Sequence, residues 1–381
     1  MDRSRPFHGD RPLPGRADAR HVLIVRDHCG MTGTVGKRRW RRVLRGACWA
    51  AAFVLGLGLL APVAAWAWWQ PEPKARGTGT NALWARHQWV GEPHTDAEYR
   101  AFADLLKANR ITDVYFHAGP FEADGTVPPG KYRHAGALTA AMERYAPDVR
   151  TQAYLGQIRV VEGEGVIEID DPDVRAEILR TDEIFLDLGF DGIHYDLEPI
   201  YPDDRAFLDL LDATRALTRE RNALLSVALE QPTLADAAQP VYDALLPRQG
   251  AFRHPARPTE DFLRAVAGKA DQVAIMTYDV ALPTESLAGW HFARHTRAVL
   301  ELIGDRTTVF IGVPTYRPPM MPWAEDLEVA LRGVRRGIDL LDRPPKRPYG
   351  VGIYAAWTTS ADEWELYRAN WLPPETGKAS G

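Results

Sequence analysis

Strand-like and helix-like segments alternate eight times between residues 82 and 371, and this alternation limits the possible folds more than any other feature. The predicted strands are 82–90, 111–118, 150–158, 189–198, 224–231, 271–279, 307–314 and 350–357. The predicted helices lie near 95–109, 136–145, 172–187, 203–221, 258–268, 288–303, 324–338 and 361–371. Strands that alternate with helices pair in parallel through crossovers, so eight units favour an α/β fold closed into a (β/α)8 TIM barrel. An open doubly wound sheet is the alternative, and the lack of a glycine-rich phosphate loop after the first strand disfavours it.

Local signals support several of these boundaries. Thr95 and Glu98 form a predicted capping box before the first helix, and Asp203 and Ser360 are candidate N-caps for two others. The longest interruption, 232–257, follows the fifth strand and is rich in Pro, Ala and Gln. It either shapes one rim of a cleft or is a tolerated surface excursion.

Charge is unevenly distributed along the chain. Residues 1–45 contain 12 Lys/Arg and 4 Asp/Glu, a balance of +8, and the whole chain is −5, so residues 46–381 carry −13. An acidic folded domain is a poor nucleic-acid binder, because contacts to phosphates need clusters of basic residues. The two cysteines, Cys29 and Cys48, give no zinc-type spacing, and we expect neither a metal nor a cofactor.

A 23-residue uncharged stretch, 47–69, is long enough to span a bilayer. The basic residues between Lys37 and Arg42 precede it, which predicts a signal-anchor with a cytoplasmic N-terminus and an extracytoplasmic domain at the cell membrane. Trp66, Trp68 and Trp69 are expected at the outer interface. The competing interpretation is a signal peptide cleaved near Ala67, which would give a secreted protein.

The predicted domain organisation follows from these boundaries. Residues 1–46 form a basic, disordered tail, 70–81 a Pro/Gly-rich linker, 82–373 the barrel and 374–381 a disordered end. Met31 is an alternative start, since a conventional short basic region follows it before the apolar run.

The fourth predicted strand carries a row of polar side chains at its carboxyl end. Side chains alternate across a strand, so His194, Asp196 and Glu198 share one face. Each of them lies about 6.6 Å from the next along the strand. Ile193, Tyr195 and Leu197 share the other face. An apolar outer row with acids inside, at the carboxyl end of a barrel strand, is typical of a catalytic site.

The stretch Asp191-Gly-Ile-His-Tyr-Asp-Leu-Glu198 resembles the signature D-G-x-D-x-D-x-E of glycoside hydrolase family 18, the chitinases and their relatives. Asp191, Gly192, Asp196 and Glu198 match it, whereas His194 stands where the family has its middle Asp. Met276-Thr-Tyr-Asp279 is similar to the family's Met-x-Tyr-Asp, and Trp357 ends a strand where the family has a tryptophan below the sugar. The resemblance covers most of residues 82–371, and its specific motifs lie on strands four, six and eight.

The resemblance implies a catalytic role for Glu198, Asp196 and Tyr278. Glu198 would be the proton donor, and Asp196 would orient the substrate's 2-acetamido group, whose oxygen is the nucleophile in this family. Tyr278 would donate a hydrogen bond to that oxygen. Asp279 would hold a sugar hydroxyl, and Trp357 would stack on the sugar ring.

Four further residues complete the predicted site. Glu230, at the end of the fifth strand, is either a substrate-binding acid or a second catalytic carboxylate. His117 is a candidate substrate contact on the second strand. Asp191 and His194 are expected to support the acids from behind, and we predict a neutral His194 that donates a hydrogen bond to Asp196.

Three functions are consistent with these residues. The leading prediction is a membrane-anchored, extracytoplasmic hydrolase of β-linked N-acetylglucosamine-containing polysaccharides or oligosaccharides, working by substrate-assisted acid catalysis. The second is a retaining glycosidase that uses Glu198 and Glu230 on non-acetylated sugars. The third is a catalytically inactive glycan-binding barrel.

Overall fold

The computed structural model describes residues 67–160, 165–240, 257–280, 282–316 and 324–374. Eight parallel strands close into a barrel in the order β1 to β8, each paired with the next and β1 with β8. The strands are β1 Ala82–Ala85, β2 Asp113–His117, β3 Arg150–Ile158, β4 Gly192–Glu198, β5 Leu224–Glu230, β6 Gln272–Met276, β7 Thr308–Pro314 and β8 Tyr349–Tyr354. The predicted (β/α)8 barrel is therefore confirmed.

A helix follows each strand and covers the outside of the barrel. These helices are α1 Asp96–Ala108, α2 Ala135–Tyr145, α3 Pro172–Asp187, α4 Arg205–Glu220, α5 Glu260–Ala267, α6 Glu285–Ile303, α7 Leu327–Asp339 and α8 Ala361–Asn370. A helical turn at Gln88–Gly91 and a 3-10 turn at Pro129–Lys131 supplement them.

The predicted helix caps are mostly correct. Thr95 and Glu98 form both halves of a capping box at α1, and Ser360 does the same with Glu363 at α8. The cap of α4 is Asp204, which accepts from the Phe207 N–H, rather than the predicted Asp203. Asp203 instead adopts a left-handed conformation with φ 62° one residue earlier.

The main hydrophobic core lies between the strands and the helices. On β4 its members are Ile193, Tyr195 and Leu197, and the Tyr195 hydroxyl donates to Asp182 of α3 and contacts Thr214 of α4 at 2.8 Å. The barrel interior is filled by a smaller aromatic cluster around Trp84, Tyr115 and Phe310. The polar row of β4 thus faces the interior, as the alternation predicts.

Residues 69–77, most of which were predicted as a linker, lie along α7. Arg332, Arg335 and Arg336 donate hydrogen bonds to backbone carbonyls of Trp69, Gln70, Pro71, Pro73 and Ala75. At the other end of α7, the Asp339 carboxylate accepts from the backbone N–H of Lys74 and Ala75 at 2.7 and 2.9 Å. We call residues 69–77 the strap.

Trp69 lies in a socket formed by α6 and α7. Its side chain is 5% exposed, and the Arg332 guanidinium lies 4.4 Å from its ring centre. A Cβ added to Gly289 would come within 2.1 Å of the indole, so only glycine leaves room at that position. The interfacial position predicted for Trp69 is therefore wrong, because its side chain is buried in the body of the barrel.

Most of the predicted membrane segment lies outside the described residues, which include only 67–69 of it. Within the described part of the chain, no helix combines the length and apolar character needed to cross a bilayer. The predicted tail at 1–46 and nearly all of 374–381 also lie outside the described residues.

Candidate active site

Strand β4 carries the two acids to the mouth of the barrel. Its register pairs Gly156 of β3 with Asp196, and Ile158 with Glu198, at the carboxyl ends of both strands. Both carboxylates lie on the inner face, because their odd-numbered neighbours fill the outer core. The carboxyl ends of barrel strands are where barrel enzymes have their catalytic residues.

Glu198 is the strongly perturbed acid of this mouth. Burial raises its pKa from 4.5 to about 8, and the nearby charges of Asp196, Glu230 and Asp279 act in the same direction. Each of these groups disfavours the ionised form of Glu198. At neutral pH the carboxyl therefore holds its proton, as a general acid must.

Asp196 differs from Glu198 in having a hydrogen-bond donor. The Tyr154 hydroxyl donates to its Oδ2 at 2.6 Å. Burial raises the pKa of Asp196, and the hydrogen bond from Tyr154 opposes that rise. The buried Oδ1 has no hydrogen-bond partner within the described residues.

The predicted hydrogen bond from His194 to Asp196 is wrong. His194 Nδ1 lies 2.8 Å from Ser226 Oγ, and its ring stacks on Tyr115 with centroids 3.7 Å apart. Ser226 is its direct neighbour in the register with β5. Strands lie about 4.8 Å apart whereas successive inner residues of one strand lie about 6.6 Å apart, so the neighbouring strand offers the closer partner. Burial lowers the pKa of His194 to about 3, which agrees with the predicted neutral form.

Asp191 also has a role other than the one predicted. Its Oδ2 accepts from the backbone N–H and the hydroxyl of Thr151 at 2.7 and 3.0 Å. It precedes β4, so it lies at the opposite end of that strand from Glu198, about 20 Å away by strand geometry. Asp191 fixes the start of β4 against β3 and does not support the acids directly.

Tyr278 belongs to an aromatic wall beside the acids. Its ring stacks on Tyr354 at 5.3 Å, and Tyr354 contacts Trp357 at 5.6 Å. Burial raises the pKa of Tyr278 well above 10, and the charges of Asp196 and Glu198 contribute. The wall therefore joins two predicted site residues, Tyr278 and Trp357, through Tyr354.

Trp357 lies in a turn rather than on the last strand, since β8 ends at Tyr354. The Arg86 guanidinium lies 5.4 Å from the centre of its ring. A sugar ring stacked on Trp357 would therefore lie against an indole that also contacts the Arg86 guanidinium.

The other predicted residues lie around the mouth. Glu230 ends β5, and Asp279 follows β6 with φ 62°, a left-handed conformation that Asp tolerates. Both contribute to the raised pKa of Glu198. His117 ends β2 and contacts the Tyr154 ring at 4.9 Å, and burial lowers its pKa to about 4. The mouth thus brings together all the predicted residues except Asp191, with His194 one layer below.

Sequence reasoning missed two features of this site. Tyr354 was not singled out, although alternation on β8 places it above the inward glycines Gly350 and Gly352. The role of Tyr154 cannot be predicted from β3 alone, because nothing in one strand shows which side chain of the next strand its hydroxyl meets.

Within the described ranges, no group of three or more His, Cys, Asp or Glu side chains has a metal-binding arrangement. The mouth contains a protonated acid, a second acid that accepts a hydrogen bond and an aromatic wall. This combination can protonate a leaving oxygen and stabilise positive charge beside it.

Comparison with known proteins identifies the fold. No family model matches the chain, and no curated protein does. Among solved structures, the spore cortex-lytic enzyme SleL of Bacillus megaterium QM B1551 is similar with a TM-score of 0.50 at 15% identity, over 79% of this chain and 76% of that one. The SleL of Bacillus cereus gives 0.50 at 12% identity, over 78% and 76%. A class V chitinase from Pseudomonas fluorescens Pf-5 gives 0.50 at 13%, over 78% and 99%. The chain shares their fold.

Proposed function

We propose that this chain is a chitinase-like glycoside hydrolase that cleaves β-linked N-acetylglucosamine-containing glycans. The observation that carries the proposal is the paired state of the two acids of β4. Glu198 has a pKa of about 8, whereas Asp196 accepts a hydrogen bond from Tyr154. Glu198 thus holds a proton at neutral pH, and Asp196 at the same mouth accepts a hydrogen bond that favours its ionised form. The fold shared with a chitinase and two cortex-lytic enzymes supports the same class of reaction.

In the proposed mechanism Glu198 donates its proton to the glycosidic oxygen as the bond to the anomeric carbon breaks. The substrate's acetamido oxygen attacks the anomeric carbon, and the carboxylate of Asp196 stabilises the positive charge of the cyclised intermediate. The Tyr278 hydroxyl donates a hydrogen bond to the acetamido oxygen. Glu198, now ionised, accepts a proton from the water that opens the intermediate.

Replacing the proton donor tests this function. Glu198→Gln should lower turnover of β-linked N-acetylglucosamine oligosaccharides at least about 100-fold, since general acid catalysis contributes on that order. Binding of the same oligosaccharide should persist. Glu220→Gln, an exposed position on α4, is the matched control and should leave turnover unchanged. Full activity of the Glu198 variant would refute the proposal.

A second candidate is a two-carboxylate retaining glycosidase that uses Glu230. It is favoured by one observation, the contribution of Glu230 to the raised pKa of Glu198, which requires the two groups to be near each other. Cleavage of sugars that lack an acetamido group, lost in Glu230→Gln, would support this candidate. Cleavage confined to acetylated sugars supports the leading proposal. Binding without cleavage of either kind would support an inactive glycan-binding barrel.

We also propose that the uncharged run holds the enzyme at the outer face of the cell membrane. The span would end before Trp68, because the Trp69 side chain is buried in the barrel. The 21 residues 47–67 still suffice for a bilayer core. Fractionation of cells tests the proposal, since the full chain should remain with the membranes after a high-salt wash. Recovery of a soluble form that begins near Trp68 would instead support cleavage.

A further inference from the structure

Asp196 receives its hydrogen bond from outside its own strand. Tyr154 pairs in the register with His194, one inner layer below Asp196, and its long side chain reaches up to the carboxylate. Gly156 is level with Asp196 and contributes no side chain. A Cβ at Gly156 would lie 2.8 Å from the Asp196 carbonyl oxygen and 3.2 Å from the Tyr154 ring. Glycine at 156 therefore leaves the space in which the tyrosine meets the aspartate.

The layer beneath Asp196 supplies no charge. His194 is neutral, stacked on Tyr115 and turned to Ser226. Trp84 contacts His194 edge-on at 5.8 Å, so aromatic rings fill the surrounding interior. Within the described residues, the Tyr154 hydroxyl is the hydrogen-bond donor of the Asp196 carboxylate, and no second donor reaches it.

The two acids of β4 are thus chemically alike but unequally supported. A hydroxyl that donates to a carboxylate favours the ionised form, and the resulting charge disfavours ionisation of an acid beside it. We infer that Tyr154 is a positioning residue that assigns the proton of the acid pair, keeping Asp196 ionised so that Glu198 is the acid that holds it. The inference rests on the proposed function only for its effect on the rate.

Other titratable groups lie around this acid pair, and they set the background against which Tyr154 acts. Glu230, Asp279, Tyr278 and Tyr354 interact with the acids themselves, whereas His117 contacts Tyr154 and Tyr316 contacts Tyr278. The acids among them add negative charge, and the phenols stay neutral because burial raises the pKa of Tyr278, Tyr316 and Tyr354. In the part of the chain that the structure describes, none of these groups donates a hydrogen bond to Asp196, whereas Tyr154 does.

Tyr154→Phe tests the inference through the pH profile of the reaction. Without its donor, Asp196 ionises at higher pH, so the acidic limit of kcat/KM should move upward. The alkaline limit, at which the last proton leaves the pair, should stay in place or move upward, because weakening one acid of a coupled pair does not make the last proton leave more easily. The height of the bell should also fall, because more of the singly protonated pair then holds its proton on Asp196, and kcat should fall about 10- to 100-fold, the value of a hydrogen bond to a charged group. A merely structural role would lower the rate and leave both limits in place.

Two comparisons isolate the effect. Tyr115→Phe removes another buried hydroxyl from the same barrel, which lies 3.5 Å from Ser226 Oγ, and should leave both limits unchanged. In an Asp196→Asn background, Tyr154→Phe should cause no further fall in kcat. A further fall of similar size would show that Tyr154 acts by another route and would overturn the inference.

A measurement without substrate separates this inference from the proposed function. The infrared band of the protonated Asp196 side chain is identified by its loss in Asp196→Asn. As the pH is lowered, this band should appear at a higher pH in Tyr154→Phe than in the parent. If the band appeared at the same pH in both proteins, the inference would be overturned, whatever the activity of the variant. A shifted band in a protein that cleaves no acetylated sugar would uphold the assignment of the proton and reject the hydrolase.

Discussion

Glu198 and Asp196 differ by one methylene group, yet their surroundings act differently on their pKa values. Glu198 has burial and three acidic neighbours, all of which raise its pKa. Asp196 has burial opposed by a phenol. Sites that use one acid as donor and another as charge stabiliser depend on such a difference in environment.

The raised pKa of Glu198 has a consequence for stability. A carboxyl whose pKa is higher in the folded state than its unfolded value of 4.5 binds its proton more tightly when folded. The folded state therefore loses stability as pH rises from about 4.5 to about 8, by at most about 1.4 kcal/mol per pH unit. Glu198→Gln cannot ionise and should be more stable than the parent above pH 8, with little difference below pH 4.5.

Urea denaturation at several pH values measures this effect. The exposed control Glu220→Gln should follow the parent at every pH. A Glu198 variant that gains nothing at high pH would show that this carboxyl ionises freely in the folded protein.

The roles of single residues could be predicted only in part. Alternation along β4 was enough to place Asp196 and Glu198 on the inner face, since that property belongs to one strand. The partner of His194 depends on the register between β4 and β5, and the donor to Asp196 depends on β3. Neither register can be deduced from the sequence of β4, so both contacts were missed.

Elements were predicted well where the chain has a strong pattern and poorly where it turns. The bounds of β3 agree with the prediction at both ends. Strand β1 stops at Ala85 rather than at residue 90, since a helical turn at Gln88–Gly91 follows. Strand β8 stops at Tyr354, so Trp357 lies in a turn. Strand ends were overextended at the functional rim, where the chain leaves regular structure.

The connection between β4 and α4 is held by one buried ion pair. The Arg159 guanidinium pairs with Asp204, the N-cap of α4, and donates to the Pro199 carbonyl at 3.1 Å. The backbone N–H of Arg159 also donates to the Glu198 carbonyl at 2.6 Å. Arg159 thus fixes both ends of the segment that follows the proton donor.

Asp204→Ala should destabilise the fold by about 3–5 kcal/mol, because it removes a helix cap and leaves the Arg159 charge, with a side chain only 5% exposed, without its partner. Asp203→Asn is the matched control. Asp203 is exposed and has φ 62°, which Asn adopts readily, so a change within about 0.5 kcal/mol is expected. Thermal unfolding distinguishes the two, and equal effects would show that the ion pair contributes nothing.

For the molecule as a whole, the barrel body begins before its first strand. The strap runs along α7, and at its end the Gly77 N–H donates to the Trp371 carbonyl at 2.8 Å, beside the last helix. The sequence of residues 70–81 predicts only a linker, since Pro and Gly are common both in linkers and in irregular segments that pack on a domain. The arginines that hold the strap lie more than 250 residues later in the chain.

Trp69→Ala should therefore destabilise the whole barrel by about 3–5 kcal/mol, as expected for loss of a buried tryptophan. Trp68→Ala, at a partly exposed neighbour whose ring lies 4.8 Å from the Arg336 guanidinium, should cost clearly less. Urea denaturation measures both. Equal, small effects would show that the strap is dispensable for folding.

The socket of Trp69 also bears on where the chain can be shortened. A fragment that starts at Ala82 would leave the space beside Gly289 empty, because it lacks Trp69. It would also leave three arginines of α7 without the strap carbonyls to which they donate. A peptidase cut after Ala67 would instead spare every one of those contacts. Cleavage at that point would release a barrel that keeps the strap, whereas removal of the next ten residues would remove the strap and its contacts with α6 and α7.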